Sequence, residues 1–374
     1  MHGNNTSKEC LLCGLCLEVC PIFRATDRED LSPRGKGFLL AHYHEFNFGV
    51  KSTIELAELC AGCKRCLKIC PQKINLPLEI ARLKSIHPDW KSWIWSRIIK
   101  SRTGLLPVIK GARAFIPGSI PVLKHSLLDK PPVTALLKVG QVEQTKEKKA
   151  VIFPGCVSKL FRPKLEKKAL QLLNRLGYEA LPTPDWQCCG YPLGSAGLFA
   201  QEKKEIEKNL ELWEAMDRPL VFVFCATCVD GLKNSFSGFD DRGSCEPFSQ
   251  SIRTLIEELS ELEFTPENLL ESRSIVWHEP CHGLPDSGNI FQAITRNLGH
   301  ELTILNKKCC GMGGSFAIQN PALSSVIAED FWQSAPGNNI LVLSDCNGCI
   351  LQLDATKPDN AIVAHWLEVV RVDG

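Results

Sequence analysis

No stretch of this 374-residue chain is apolar for long enough to cross a membrane as a helix. The most apolar tract, Gly104 to Leu123, is broken by Lys110, Arg113 and three prolines, whereas a span needs about 20 predominantly apolar residues. No apolar signal segment follows Met1-His2-Gly3-Asn4-Asn5, which points to the cytosol, where thiols stay reduced. A Gly-x-Gly-x-x-Gly fingerprint is also missing, so no flavin or nicotinamide site is expected on this chain and hydride chemistry is expected on another polypeptide. The formal net charge is only +1, which gives no global attraction to nucleic acid, and none is expected as a partner. One absence is local. From Trp90 through Leu128 there is no acidic residue but seven basic ones, Lys91, Arg97, Lys100, Arg102, Lys110, Arg113 and Lys124, with Trp90, Trp93 and Trp95 among the first. Such a segment suits peripheral contact with a membrane or an acidic partner; the plainer reading of the same residues is a helical connector whose tryptophans pack on the cluster domains.

What is present is cysteine, nineteen of them, in a chain long enough not to need disulfides for its core. Two runs stand near the amino terminus, Cys10-x-x-Cys13-x-x-Cys16-x-x-x-Cys20-Pro21 and Cys60-x-x-Cys63-x-x-Cys66-x-x-x-Cys70-Pro71. Each is a full copy of the bacterial ferredoxin run, in which three thiolates wrap one cubane and the fourth reaches the other. The spacing therefore predicts one [4Fe-4S] cluster on Cys10, Cys13, Cys16 and Cys70, and a second on Cys60, Cys63, Cys66 and Cys20. Between the runs, Leu39, Leu40, Tyr43 and Phe46 follow Ser32-Pro33-Arg34-Gly35-Lys36 at helical spacing.

The other cysteines repeat. Cys188-Cys189-Gly190 returns 121 positions later as Cys309-Cys310-Gly311, and Cys225-x-x-Cys228 returns at the same offset as Cys346-x-x-Cys349. A single cysteine precedes each triplet, Cys156 and Cys281. Structural zinc takes four ligands, so a fifth thiol in each unit argues for iron-sulfur assemblies instead. Short apolar runs at Ala150–Phe153, Leu220–Phe224, Ile275–Trp277 and Ile340–Leu343 lead to Cys156, Cys225, Cys281 and Cys346, and the pattern of strand, cysteine, helix predicts a repeated α/β module with its thiols beyond the carboxyl ends of the strands. Lys164 to Leu176 carries helical periodicity. Charged Glu143 to Lys149 reads as a linker. Cys245 falls outside every set, in a stretch that reads as a loop bearing a surface thiol. The expected fold class is thus α+β and multi-domain: a mostly helical two-cluster module (1–89), a basic Trp-rich helical connector (90–148), and two tandem α/β units with parallel-type sheets (149–273 and 274–374).

These cysteine sets resemble those of iron-sulfur subunits in which a two-cluster ferredoxin module is fused to two Cys-Cys-Gly domains, as in the glycolate oxidase, anaerobic glycerol-3-phosphate dehydrogenase and heterodisulfide reductase types. Eighteen of the nineteen cysteines fall on that pattern. The resemblance implies noncubane [4Fe-4S] clusters on Cys156, Cys188, Cys189, Cys225 and Cys228 and on Cys281, Cys309, Cys310, Cys346 and Cys349. It also implies an electron-transfer subunit that passes electrons from a flavoprotein dehydrogenase of a 2-hydroxy acid or glycerol 3-phosphate to a quinone or other carrier. The alternative implied is a catalytic subunit that cleaves a disulfide at the noncubane clusters. His282, next to Cys281, is the candidate proton donor; His278 and His365 read as ordinary hydrogen-bonding histidines.

Overall fold

The computed structural model describes residues 6–42, 50–87, 133–140, 148–234, 245–267 and 273–372. The basic segment at 90–128, and Tyr43 and Phe46 of the insert, lie outside the described residues.

The amino-terminal part is helical. Each ferredoxin run turns through a left-handed residue, Gly14 (φ 82°) or Lys64 (φ 56°), into a short helix, Leu15–Val19 or Arg65–Ile69, and these two helices pack on each other. Pro21 opens the next helix, Pro21–Thr26, at a position where a missing N–H costs nothing. In the insert, the Ser32 side chain accepts from Gly35 N–H at 3.0 Å and caps the helix Pro33–Ala41. That helix holds Leu39 and Leu40 of the expected apolar stripe.

Eleven strands are described. β1 (Leu137–Val139) belongs to a small sheet taken up last. β2 (Lys149–Phe153), β3 (Glu179–Ala180), β4 (Leu220–Val223) and β5 (Ile252–Thr254) form an all-parallel sheet in the order β3-β2-β4-β5. After β6 (Phe264–Pro266), a second parallel sheet is built from β7 (Ser274–His278), β8 (Leu302–Leu305), β9 (Ile340–Ser344) and β10 (Ala361–His365), in the order β8-β7-β9-β10. The two orders are the same when each unit is counted from its own first strand, so the repeat in the cysteines is a repeat in topology. In both, the chain leaves the first strand to one side and returns on the other, and the crevice between first and third strands is where such sheets bind ligands. Cys156 and Cys225 stand at that crevice in the first unit, and Cys281 and Cys346 in the second.

Parallel strands buried on both faces explain the continuous apolar runs. Val151 and Phe153 face one core with Val221 and Val342, while Ala150 and Ile152 face another with Phe222, Leu341 and Trp366. Both cores contain residues of both units, so the units share one hydrophobic interior. The carboxyl-terminal tail seals the join: β11 (Val370–Arg371) pairs in parallel with β1, which pairs antiparallel with β6. Lys168, on the helix Lys164–Arg175, donates to the carbonyls of Leu367, Glu368 and Val370, and Arg162 pairs with Glu368.

His365 lies in this join. Its Nε2–H donates to Phe224 O at 2.8 Å and its Nδ1 accepts from Leu367 N–H at 3.1 Å, so the ring is neutral. Burial pushes its pKa from 6.5 down to about 3. Between those values the unfolded chain binds a proton that the folded chain does not, so stability falls as pH drops below about 6.5, by about 1.4 kcal/mol per unit. Wild type should therefore lose about 2 kcal/mol of its stability advantage over His365→Gln between pH 7 and pH 5, measured by thermal unfolding. A gap that stays constant over this range would show that the buried ring is not the neutral form.

Two sequence expectations change. Cys245 is not in a loop: it begins the helix Cys245–Ser251, half-buried against the core, because Pro247 suits a first helical turn and Phe248 is buried. The pattern of strand, cysteine and immediate helix holds at Cys156, Cys225 and Cys346. Cys281 is instead followed by a turn through Gly283 (φ 84°) and Asp286 (φ 60°), and its helix starts only at Ser287. Among the described residues no helix is long and apolar enough to cross a membrane.

Candidate iron-sulfur centres

Each Cys-x-x-Cys pair is placed by a strand and a helix together. Cys225 caps the helix Ala226–Lys233 and its carbonyl accepts from Cys228 and Val229 N–H, which brings both thiols to the helix amino terminus. Cys346 caps the helix Asn347–Thr356 in the same way, with Cys349 in its first turn. The partial positive charge of a helix start favours thiolate there. The Cys-Cys-Gly triplets sit on loops after β3 and β8. In the first, Asn209 clamps the backbone by accepting from Gln187 N–H (2.7 Å) and donating to Cys188 O (3.0 Å). In the second, backbone N–H groups of Gly311 and Met312 point at the sulfurs of Cys309 and Cys310 at 3.4 and 3.5 Å.

The thiols meet in unbroken succession. Cys156 and Cys188 are 3.7 Å apart at sulfur, and contacts then run through Cys189, Cys228, Cys225, Cys346, Cys349 and Cys310 to Cys309. The step from Cys225 to Cys346 crosses from one unit to the other, beside a hydrogen bond from Ala226 N–H to Asp345 O at 2.8 Å. Among these thiols Cys189, Cys310 and Cys346 lean to thiolate. Donation from Cys188 and Cys228 lowers the Cys189 pKa to about 6, and donation from Cys309 and Cys349 holds Cys310 well below the ordinary thiol range. Cys281 is pushed up by burial. Deprotonated sulfur is the form that binds iron.

A cavity opens on this row of sulfurs, lined by Cys156, Cys189, Cys225 and Cys228 of the first unit and by all of the second unit's five thiols. Cys63 of the ferredoxin run lines it too. The second ferredoxin run is wedged between the units. On one side Lys64 pairs with Asp230 at 2.7 Å, and the Tyr191 hydroxyl donates to Gly62 O at 2.7 Å. On the other, Arg65 donates to the carbonyls of Lys307 and Lys308, and Lys68 to that of Cys281. The Arg65 guanidinium faces Cys309, Cys281 and Cys63. A separate pocket is lined by Cys20, Cys60, Cys63 and Cys66, which brings together the four cysteines expected for one cubane. Of the other expected set, Cys10 and Cys13 lie near enough to Cys16 to raise its pKa, after burial. Cys70 ends the helix Arg65–Ile69 that packs on Leu15–Val19. Cys13 is exposed, beside exposed Leu11, Leu12 and Leu15.

The donor sets fit iron-sulfur groups: clustered sulfurs, no disulfide among the described cysteines, and backbone held close where side chains would intrude. A Cβ on Gly155 (φ 75°) would lie 2.7 Å from the Cys228 sulfur. His282 is buried, with Nε2 2.9 Å from the Tyr191 oxygen and Nδ1 3.7 Å from the Cys281 sulfur. Sequence reasoning missed Tyr191, Arg65 and Lys68, whose roles depend on contacts more than a hundred residues apart. Set in register, the units place Phe153 and His278 alike, each three residues before the single cysteine.

Comparison with known proteins finds three domain matches. Residues 6–74 match the 4Fe-4S dicluster domain, and 150–233 and 275–354 each match the cysteine-rich domain. The chain is 24% identical to the glycolate oxidase iron-sulfur subunit of Escherichia coli K12, covering 99% of this chain and 95% of that protein. It is 25% identical to a subunit of the anaerobic glycerol-3-phosphate dehydrogenase of the same organism, over 94% of this chain and 95% of that protein. Lactate utilization protein A of Shouchella clausii is 25% identical over 54% of this chain and 88% of its own length. The chain belongs to the iron-sulfur proteins that join a 4Fe-4S dicluster domain to two tandem cysteine-rich domains.

Proposed function

We propose that this chain is the electron-transfer subunit of an oxidoreductase complex. In this reading a flavoprotein dehydrogenase oxidises glycolate, lactate or glycerol 3-phosphate and hands the electrons to this chain for delivery to a quinone or other carrier. The chain divides at 1–89, 90–148, 149–273 and 274–374. Cys10, Cys13, Cys16 and Cys70 hold one cubane, and Cys60, Cys63, Cys66 and Cys20 the other. The two five-cysteine sets hold noncubane [4Fe-4S] clusters. When bound, these groups supply one-electron chemistry. The protein's own contribution is to fix their sulfur ligands, exclude water and place cations such as Arg65 beside the accumulated negative charge. The basic segment 90–128 attaches the chain to a membrane surface or an acidic partner.

One observation carries the relay reading: Cys63 shares a cavity with nine thiols of the two cysteine-rich units, so the ferredoxin module abuts the inner sites without an intervening layer. The relatives named as subunits of glycolate oxidase and glycerol-3-phosphate dehydrogenase support the partner class. The test uses the chain purified without oxygen. It should restore dye or quinone reduction when mixed with its flavin partner and a hydroxy-acid substrate. Alone, with an artificial electron donor, it should cleave no disulfide. Disulfide turnover by the lone chain, abolished by Cys310→Ser, would overturn the relay reading in favour of catalysis on this chain.

A further inference from the structure

The two cubane cysteine sets of the ferredoxin module stand in different electrostatic surroundings. Cys60, Cys63, Cys66 and Cys20 form a proximal set, since Cys63 also lines the cavity of the cysteine-rich units. Cys10, Cys13, Cys16 and Cys70 form a distal set, with Cys13 exposed. Burial by itself makes the proximal site the harder one to give an electron, because water shields added negative charge less there.

The protein offsets this with cations. Lys36 lies on the helix Pro33–Ala41, is 4% exposed, and lines the proximal pocket together with the four cysteines. Gly35 lets this helix pack so close, since a Cβ there would lie 2.2 Å from Glu29 O. Lys36 Nζ donates to Leu59 O at 2.7 Å, the carbonyl of the peptide that leads into Cys60. That acceptor is a dipole and does not cancel the ammonium charge. Lysine is almost never fully buried without a paired charge, and the cysteine set, when it carries negative charge, supplies one. Burial pushes the Cys20 thiol up to about 12, and Lys36 is the cation acting against that rise. At the rim facing the cysteine-rich units, the acceptors of Arg65 are likewise carbonyls, those of Lys307 and Lys308, and its guanidinium faces Cys63. Two neighbouring cations are instead paired with carboxylates. Lys64, which lines the same pocket, pairs with Asp230, and Arg34, which donates to Leu12 O in the distal run, pairs with Glu29.

We propose that Lys36, supported by Arg65, raises the reduction potential of the proximal centre above that of the distal one, so that electrons reaching the ferredoxin module collect beside the cysteine-rich units. The inference deepens the relay reading and rests on it, through the two cubanes expected on these sets. Reduction adds one negative charge, and a fixed cation in a poorly screened site stabilises the reduced form more than the oxidised form. One electron passing from distal to proximal centre oxidises the first and reduces the second, with no bond made or broken and no proton moved.

The experiment is a redox titration followed by EPR on the intact chain, prepared without oxygen, as wild type, Lys36→Met, Lys36→Arg and Arg65→Gln. The signal that Cys63→Ser removes is assigned to the proximal set. In wild type it should appear at a higher potential than the other cubane signal. Lys36→Met, similar in length but uncharged, should lower its reduced-to-oxidised ratio at a fixed potential about tenfold, a shift of about 59 mV for one electron, and leave the distal signal in place. Arg65→Gln should move the same signal in the same direction. Lys36→Arg, which keeps the charge, should move it less than Lys36→Met does. If Lys36→Met fails to load iron, wild type and Arg65→Gln decide. A proximal signal reduced at or below the potential of the distal one in wild type, or left unshifted by loss of either charge, would overturn the proposal. Wild-type protein lacking either cubane signal would instead remove the relay reading beneath it, and the proposal with it.

Discussion

Replacing Cys63 by serine should stop electron flow through the complex while leaving the outer and inner ends of the chain loaded with iron. Serine has nearly the size of cysteine, but its hydroxyl does not ionise in the range where a thiol does and makes a poor iron ligand. The substitution therefore removes a centre without opening a hole. Cys63 lines both the pocket formed with Cys20, Cys60 and Cys66 and the cavity shared with the cysteine-rich units. It is the ferredoxin-run thiol common to both spaces. Iron should fall by about four atoms per chain. Turnover with the flavin partner should fall by about a hundredfold or more, equivalent to about 3 kcal/mol on the barrier. Turnover that stayed within tenfold of wild type, with the four iron atoms gone, would mean that electrons reach the cysteine-rich units by another route.

The location of Cys63 could not be read from its spacing, although its role as a ligand was expected from it. Local patterns were informative wherever a strand and its cysteine are adjacent in the chain. β2, β4, β7 and β9 are continuous apolar runs because both faces of a central parallel strand are buried, and the helix at Lys164–Arg175 shows its period. Strands at the margins were not legible. β3 has two residues and β5 three, too few for any period, and they exist because a longer neighbour offers them a pairing edge. The small sheet of β11, β1 and β6 joins residues far apart in sequence and has no local signature.

The turn after Cys281 shows how packing overrides a repeat. The first unit's pattern predicts a helix there, but Gly283 approaches Ala226 of the other unit so closely that an added Cβ would lie 2.6 Å from the alanine Cβ. The second unit's loop is shaped by the first unit's helix, and this information is spread over both copies. The same is true of His278. Its surroundings are Ser344 on the neighbouring strand, Cys310 on a loop and Cys349 in a helix, so that its immediate sequence, Trp277-His278-Glu279-Pro280, looks ordinary.

Gly311→Ala should damage its unit far more than Gly190→Ala damages the other, although the two glycines occupy the same place in the repeat. Both have left-handed backbone, φ 85° and 87°, which costs a residue with a Cβ about 1–2 kcal/mol. The difference lies in what the new methyl group meets. At Gly190 it would lie 2.9 Å from Cγ of Glu202, a buried side-chain atom that has to shift by only a few tenths of an ångström. At Gly311 it would lie 2.4 Å from the backbone oxygen of Ser324, inside the helix Pro321–Ser334, and the Ser324 hydroxyl is itself bonded to Gly311 O at 2.9 Å. A helix backbone cannot yield without moving its packed face, so the cost should exceed about 3 kcal/mol, against about 1–2 kcal/mol at Gly190. Because the loop also carries Cys309 and Cys310, Gly311→Ala should lose the iron of the second unit selectively, while Gly190→Ala retains most of the first unit's. Iron analysis and thermal unfolding of the two variants side by side measure this directly. If Gly190→Ala proved the more damaging, the close approach of the Ser324 carbonyl would not be what requires glycine after the second cysteine pair.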